Sequence, residues 1–188
     1  FVGCKSDHSS LSSAIGGTSS STKYIFVTNT ATDGNIGGIS GADAICNADA
    51  NRPNTSATYK ALISDGVNRD CGSANDCTGG TDWPLAANTE YSNTDDNVIG
   101  TTTAASVFSF PLTNVFTTLA SVWTAHTGLN TDWTDLDINC LDWTTNTSAN
   151  STDADRGQLG GVDQTGSTAI SQYKTGCNSS ARLICVQQ

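Results

Sequence analysis

Residues 23–49, KYIFVTNTATDGNIGGISGADAICNAD, contain the signals for a strand, a turn-rich connection and a short helix in succession. Residues 24–28 are β-branched and aromatic, which predicts a buried or half-buried strand. Residues 29–38 contain Asp-Gly and Gly-Gly pairs, which are typical of turns. Ser40 is the predicted N-cap of the helix that follows, with Asp43 three residues later as its capping-box partner.

The predicted helix carries a cysteine toward the core. Ala42, Ile45 and Cys46 lie at positions i, i+3 and i+4 and therefore share one helix face. Residues 183–186 form an apolar run near the C-terminus, which predicts a closing strand containing Cys185. We expect this strand to return to the helix and its cysteine.

Several other segments resemble those of a known superfamily. They are YKALISDG at 59–66, VWTAHTGL at 122–129, CLDW at 140–143 and CVQQ at 185–188. Together with the GADA-C helix, they resemble the C-type-lectin-like superfamily, and in particular its bacterial endostatin-like branch of surface lipoproteins. The resemblance covers residues 23–188. It implies an α+β fold of antiparallel strands with one or two short helices, long irregular loops and stapling disulfides.

The length of 188 residues fits a single domain with its own core. Residues 1–22 are a predicted Ser/Gly-rich leader or tether, and residues 23–188 are the predicted C-type-lectin-like domain. Further strands are predicted at 59–64, 107–110, 112–116 and 122–124. The polar residues 86–105 are a predicted loop, and residues 144–176 are the long loop where ligands usually sit in the resembled fold.

Charge and cysteine content narrow the class of protein. The net charge is −10, and the eight Lys and Arg residues are scattered, which argues against nucleic-acid binding. Seven cysteines without zinc-ligand spacing indicate disulfides formed in an oxidising compartment. Spacing alone does not choose between the possible pairings. The resemblance implies Cys46–Cys185, from the helix to the closing strand, and Cys140–Cys177, from a core strand to the last loop, which leaves Cys71–Cys77 as a local pair.

Cys4 is the odd cysteine. Residues 1–4, FVGC, resemble the end of a bacterial lipoprotein signal, where cleavage precedes a lipidated cysteine. A lipid at Cys4 would anchor the protein to a membrane, which is the only membrane contact we expect. The alternative is an unpaired or intermolecular cysteine, and both alternatives stay open.

One segment is rich in hard oxygen ligands. It contains Asp132, Asp135, Asp137, Asn139 and Asp142. Alternation would place Asp135, Asp137 and Asn139 on one side of an extended segment, where they could bind calcium. A solvated acidic turn explains the same residues, and we favour it over a calcium site. No cofactor other than calcium is expected.

Binding to sugar has a weaker basis. The family's usual proline-containing sugar motif has no counterpart in residues 144–176, because the three prolines lie elsewhere. Trp123, Trp133 and Trp143 are predicted to pack in the core. Sequons at Asn54, Asn146, Asn150 and Asn178 are candidate N-glycosylation sites, and the alternative explanation is an Asn/Thr-rich composition.

These patterns predict a binding protein rather than an enzyme. His126 has no nucleophile-elbow sequence near it, and no phosphate-loop or dinucleotide motif is present. We predict a non-catalytic module for adhesion outside the cell or on a bacterial surface, binding a protein or glycan through residues 144–176. The alternatives are a subunit that assembles with copies of itself into a fibre or surface layer through its leader, and a calcium-dependent lectin.

Overall fold

The computed structural model of the protein describes residues 22–119, 124–148 and 152–188. Within these residues there is one regular α-helix, α1 (Gly38–Ala48), and there are two 3₁₀ turns, Asp153–Asp155 and Ser167–Ala169. The strands are β1 (Lys23–Val27), β2 (Tyr59–Ala61), β3 (Glu90–Ser92), β4 (Val98–Thr101), β5 (Thr124–His126), β6 (Arg156–Gly161), β7 (Tyr173–Gly176) and β8 (Ile184–Gln187). No helix in these ranges is long and apolar enough to cross a membrane.

The strands form two sheets. The larger sheet has the order β2-β8-β1-β3-β4, and the smaller has the order β5-β6-β7. Strands β1 and β3 pair in parallel, and all the other pairs of these two sheets are antiparallel. The prediction of an α+β protein with few helices and mainly antiparallel strands is therefore confirmed.

The strands β1 and β8 lie at the centre of the core because both of their faces are buried. Successive side chains of a strand point to opposite faces. In β1, Ile25 and Val27 pack into one apolar cluster, which contains Trp133, while Phe26 packs into a second cluster with α1 and Trp143. Burial on both faces explains why these two strands are continuous apolar runs.

Helix α1 begins earlier than predicted. Its N-cap is Gly37, whose φ of 87° is a conformation that glycine adopts readily, and Ser40 lies exposed in the first turn. The prediction of Ser40 as the N-cap is therefore wrong. Ala42 and Cys46 are buried as predicted, and Ile45 packs half-buried beside them.

The structure contains the two disulfides that the resemblance implies and the local pair that they leave. Cys46–Cys185 joins α1 to β8 across 139 residues, Cys71–Cys77 closes a local loop, and Cys140–Cys177 spans 37 residues. Cys140 does not lie in a core strand, however. It begins a left-handed turn, residues Cys140–Trp143, in which all four φ angles lie between 51° and 63°.

Several of the predictions of strands and loops are wrong. Residues 86–105 are not a loop throughout, because β3 and β4 form a hairpin there. Residues 107–110 and 112–116 are bends and irregular segments rather than strands, and the predicted strand at 59–64 is regular only in β2. The strand expected at 122–124 is described from Thr124 onward, as β5, and Trp123 lies outside the described residues.

Residues 144–176 are also not one long loop. They contain β6 and β7, the two neighbouring strands of the smaller sheet. Glycines make close packing possible here: a Cβ at Gly160 would lie 2.3 Å from the carbonyl oxygen of Ala169. Because glycine is unfavourable in strands and lacks an apolar side chain, β6 carries a weak sequence signal.

Candidate functional site

A cleft of about 370 Å³ lies between the segment after β2 and the segment after β5. Its lining residues are Asp65, Gly66, Val67, Asp70, Gly72, Thr134, Asp135 and Asp137. We call this set the acidic cleft, because half of its lining residues are aspartates and none is a Lys or Arg.

The first wall of the acidic cleft is a turn organised by Asp65. Its Oδ1 accepts hydrogen bonds from the backbone N–H groups of Val67 (3.0 Å), Asn68 (2.7 Å) and Arg69 (2.9 Å). Burial alone would raise the pKa of Asp65, but these bonds and one from the Asn68 side chain outweigh burial and lower it. Asp65 is therefore an ionised carboxylate that holds the turn.

Backbone contacts bring the second wall against this turn. Ser64 donates its N–H to the carbonyl of Thr127 at 2.8 Å. Gly66 has a φ of 72°, and a Cβ at this position would lie 3.1 Å from Oδ1 of Asp135. A side chain at residue 66 would therefore crowd the Asp135 carboxylate, and glycine allows the two walls to meet.

Asp135 is the least satisfied carboxylate in the acidic cleft. Its Oδ1 accepts the N–H of Asp137 at 2.6 Å, whereas its Oδ2 is buried and has no hydrogen-bond partner. Burial raises the pKa of Asp135, and the charges of Asp70 and Asp137 raise it further. A hydrogen bond from the Ser64 hydroxyl to Asp135 would oppose this rise in pKa. That hydroxyl, however, donates to the carbonyl of Arg69 at 2.8 Å.

The charge of the acidic cleft is not neutralised by an ion pair within the described ranges. The ion pairs found there join Lys60 to Asp82, Arg69 to Asp43 and Asp82, and Lys174 to Asp153. None of these carboxylates lines the acidic cleft. The cleft therefore presents a concentration of negative charge to solvent.

Arg69 is close to the acidic cleft in sequence but points away from it. Its guanidinium is fully buried and bonds both carboxylate oxygens of Asp43 at 2.8 Å, the carbonyl of Ala61 and the carboxylate of Asp82. Burial would lower the pKa of Arg69, but the two aspartates outweigh burial and raise it. This network, which the sequence reasoning missed, fixes the Asp65 turn against α1.

The structure separates the five residues of the candidate calcium site. Asp135 and Asp137 line the acidic cleft, Asp132 bonds the Thr134 hydroxyl at 2.6 Å, and Asn139 caps the left-handed turn through the N–H of Asp142 at 3.1 Å. Asp137 has a φ of 55°, so the expected extended segment is wrong. In the part of the chain that the structure describes, no three His, Cys, Asp or Glu residues are grouped to hold a metal ion.

The other predicted site residues lie apart from the acidic cleft. Asn54, Asn146 and Asn178 are exposed, and Asn146 donates to Asp33 at 3.0 Å. Asn150 and Cys4 lie outside the described residues, so their modification stays a prediction, as does that of the three exposed sequons.

Asp65 and Asp70 are site residues that the sequence reasoning missed. In the sequence they belong to a turn after a predicted strand, 65 residues or more before Asp135. Asp-Gly at 65–66 indicated a turn, but only the tertiary contacts of Ser64 and Gly66 place that turn beside Asp135.

Replacement of Asp135 by asparagine should stabilise the protein. Because the folded-state pKa lies above the ordinary value of 3.8, the folded state prefers the protonated carboxyl, and this stabilisation is lost as the pH rises through the folded-state pKa. At pH 7, Asp135→Asn should raise the free energy of unfolding by about 1 kcal/mol, the energy of one screened contact between like charges. Urea denaturation measures the change.

The gain should shrink as the pH falls toward the folded-state pKa of Asp135, because the wild-type carboxyl becomes protonated there. Asp163→Asn, at an exposed carboxylate outside the acidic cleft, is the matched control and should change stability by less than about 0.5 kcal/mol. Equal gains from both variants at pH 7 would show that general charge reduction, rather than the burial of Asp135, explains the effect.

The fold and the cleft define a class of protein: a disulfide-stapled α+β domain with small sheets, few helices and an acidic surface cleft built from loops. The chain belongs to a family described as "Protein of unknown function (DUF1554)", which it matches over residues 29–173. No curated protein matches the sequence.

Proposed function

We propose that this protein is a non-catalytic extracellular recognition module that binds a positively charged side chain of a protein partner in the acidic cleft. The observation that carries the proposal is the set of four aspartates lining one cleft without a lysine or arginine among its lining residues. A lysine or arginine of the partner would supply the missing positive charge and donate to the accessible carboxylates of Asp70 and Asp137.

The dimensions favour a side chain over a bare metal ion. A volume of about 370 Å³ is large for one ion, and the carboxylates line the cleft without converging. Val67 is 72% exposed beside them and offers an apolar surface for the aliphatic stem of a lysine or arginine. This proposal moves the expected binding surface from residues 144–176 to the acidic cleft.

The location and class rest on two further observations. Three disulfides fit an oxidising compartment, and the resemblance to C-type-lectin-like surface proteins supports adhesion outside the cell. Assembly through the leader depends on residues 1–21, which lie outside the described residues, and it stays a prediction.

The proposal is tested by titrating the ¹⁵N-labelled full chain with tetralysine and following its amide resonances. We expect saturable shifts concentrated at residues 65–72 and 134–137. Asp70→Asn/Asp137→Asn should weaken binding about tenfold, because it removes two charges from the cleft. The control Asp95→Asn/Asp163→Asn removes two exposed charges elsewhere and should leave the affinity within about twofold.

Calcium chloride and tetraglutamate are titrated separately under the same conditions. Saturable shifts with calcium alone at the same amides would favour the calcium-dependent lectin instead. Shifts spread over the whole acidic surface, with equal losses in both double variants, would mean that tetralysine binds by net charge and would refute a specific site.

A further inference from the structure

The second feature that invites a functional interpretation is the buried imidazole of His126, the last residue of β5. His126 is 1% exposed, and its Nε2 lies 2.9 Å from the carbonyl oxygen of Thr32. A carbonyl only accepts hydrogen bonds, so Nε2 carries the ring proton and Nδ1 is bare. Nδ1 is buried without a hydrogen-bond partner, and a Cβ at Gly157 would lie 3.6 Å from it.

This imidazole lies where four segments meet. We call residues 28–37, which link β1 to α1, the connector. His126 bonds the connector at Thr32, and its ring lies 5.3 Å from that of Trp143 in the left-handed turn. The backbone N–H of His126 donates to the backbone carbonyl of Arg182, in the segment before β8, at 2.9 Å. Gly157 of β6 covers the remaining side.

We propose that His126 is an acid-sensitive latch, which holds the connector on β5 when neutral and releases it locally when Nδ1 takes up a proton. Protonation turns Nδ1 from a bare acceptor into a donor without an acceptor and places a positive charge in the core. If the connector moves away from β5, water can accept the hydrogen bond from Nδ1 and hydrate the positive charge, so both energetic costs fall.

The charged groups around His126 set the pH range. Burial lowers the pKa of His126 below its ordinary value of 6.5, while the bond to Thr32 and the charge of Asp33 in the connector oppose this shift. Arg182 contributes a second charge nearby and donates to the carbonyl of Thr28 at 2.9 Å. Trp143 and Gly157, from the left-handed turn and β6, are uncharged.

The sign of the effect follows from this lowered pKa. The open state binds the proton more tightly than the closed state, so the closed state loses stability as the pH falls from 6.5 toward the folded-state pKa. One linked proton gives at most about a tenfold rise in the opening equilibrium constant per pH unit. Asp65, whose pKa is lowered, changes its charge below about 3.8 and contributes no slope between pH 6.5 and 5. Asp135, whose pKa is raised, has an effect of the opposite sign, because protonation favours its folded state.

A disulfide between the two partners of the connector keeps such an opening local. The Cys140–Cys177 disulfide ties the left-handed turn to the segment that follows β7, and both bond the connector: Ile36 N–H to the Trp143 carbonyl (3.0 Å) and Gly34 N–H to the Cys177 carbonyl (2.7 Å). The connector can therefore separate while its two partners remain joined to each other.

Amide hydrogen exchange on the full chain between pH 7.5 and 5, corrected for intrinsic rates, tests the latch. The amides of Thr32, Gly34 and Ile36 should show an opening constant that rises up to about tenfold per pH unit below 6.5. The amide of Leu62, bonded to Ile184 in the core at 2.7 Å, should show no such slope. A common slope at all four amides would mean global unfolding and would overturn the proposal.

Two variants assign the effect to His126. In His126→Gln the side-chain amide can still donate to Thr32 but does not titrate, so the slope at the connector should disappear. Asp33→Asn removes a charge that favours the imidazolium in the closed state and so lowers the folded-state pKa further. The slope should still begin near 6.5 but continue to lower pH, so the total rise in the opening constant between pH 7.5 and 5 should be at least as large as in the wild type. A slope that persists unchanged in His126→Gln would overturn the latch. If that variant does not fold, a total rise in the opening constant that is smaller in Asp33→Asn than in the wild type would overturn it too.

Discussion

Removal of the Cys46–Cys185 disulfide, by Cys46→Ala/Cys185→Ala, should lower the free energy of unfolding by about 5 kcal/mol. The bond closes a loop of 139 residues, so its loss releases a large amount of chain entropy in the unfolded state. Both cysteines are fully buried, between α1 and the central strand β8. A change of this size is comparable to the whole stability of many single domains.

The matched control is Cys71→Ala/Cys77→Ala, which opens a loop of only six residues and should reduce stability by about 2 kcal/mol. Urea denaturation followed by circular dichroism measures both changes. Equal losses in the two variants would contradict the dependence on loop length and would point to strain in the native state instead.

Asp43→Ala should reduce stability by about 3 kcal/mol, because it leaves part of a buried charge unpaired. The guanidinium of Arg69 is fully buried and loses two of its hydrogen bonds, although Asp82 still pairs with it. The N–H of Ala61 in β2, bonded to Asp43 at 2.8 Å, loses its acceptor as well.

Asp153→Ala is the comparison for Asp43→Ala. It breaks the Lys174–Asp153 pair, whose side chains are 42% and 59% exposed, and should change stability by less than about 0.5 kcal/mol. Chemical denaturation of both proteins at pH 7 checks this contrast. A loss below 1 kcal/mol in Asp43→Ala would show that water or Asp82 compensates Arg69 fully.

The parts of the fold that the sequence predicted are those with strong local patterns. Strands β1 and β8 are apolar on both faces, and α1 places Ala42 and Cys46 on one face, so burial is visible in the residues themselves. The disulfide pairing is different, since spacing left it open and only the family resemblance chose it.

The missed strands have little apolar character. In the hairpin of β3 and β4, Tyr91 and Ile99 are the fully buried apolar residues, and polar neighbours hide that pattern. Strand β6 contains three glycines, which normally indicate a loop but here allow close backbone contacts. Tertiary contacts, rather than local propensity, make these segments strands.

Two of the four aspartates in the acidic cleft were predictable from the sequence. Asp135 and Asp137 stood out because acidic residues are dense around them, but Asp65 and Asp70 join them only through the meeting of two distant segments. The sequence also suggested a shared face for Asp135 and Asn139, which the positive φ of Asp137 prevents. Left-handed backbone at non-glycine residues is rare, so no pattern rule predicts it.

The Cys46–Cys185 bond also sets how far the domain can be stretched. A force applied at Lys23 and Gln188 acts on β1 and β8, which are neighbours in the sheet, and then meets a covalent link. Between Lys23 and Gln188, the 23 residues before Cys46 and the 3 residues after Cys185 lie outside the loop that this link closes. The chain can therefore extend to roughly 90 Å, rather than the roughly 560 Å of an unlinked chain. The acidic cleft lies inside the loop that this bond closes, so a force applied at the two ends does not unfold the cleft.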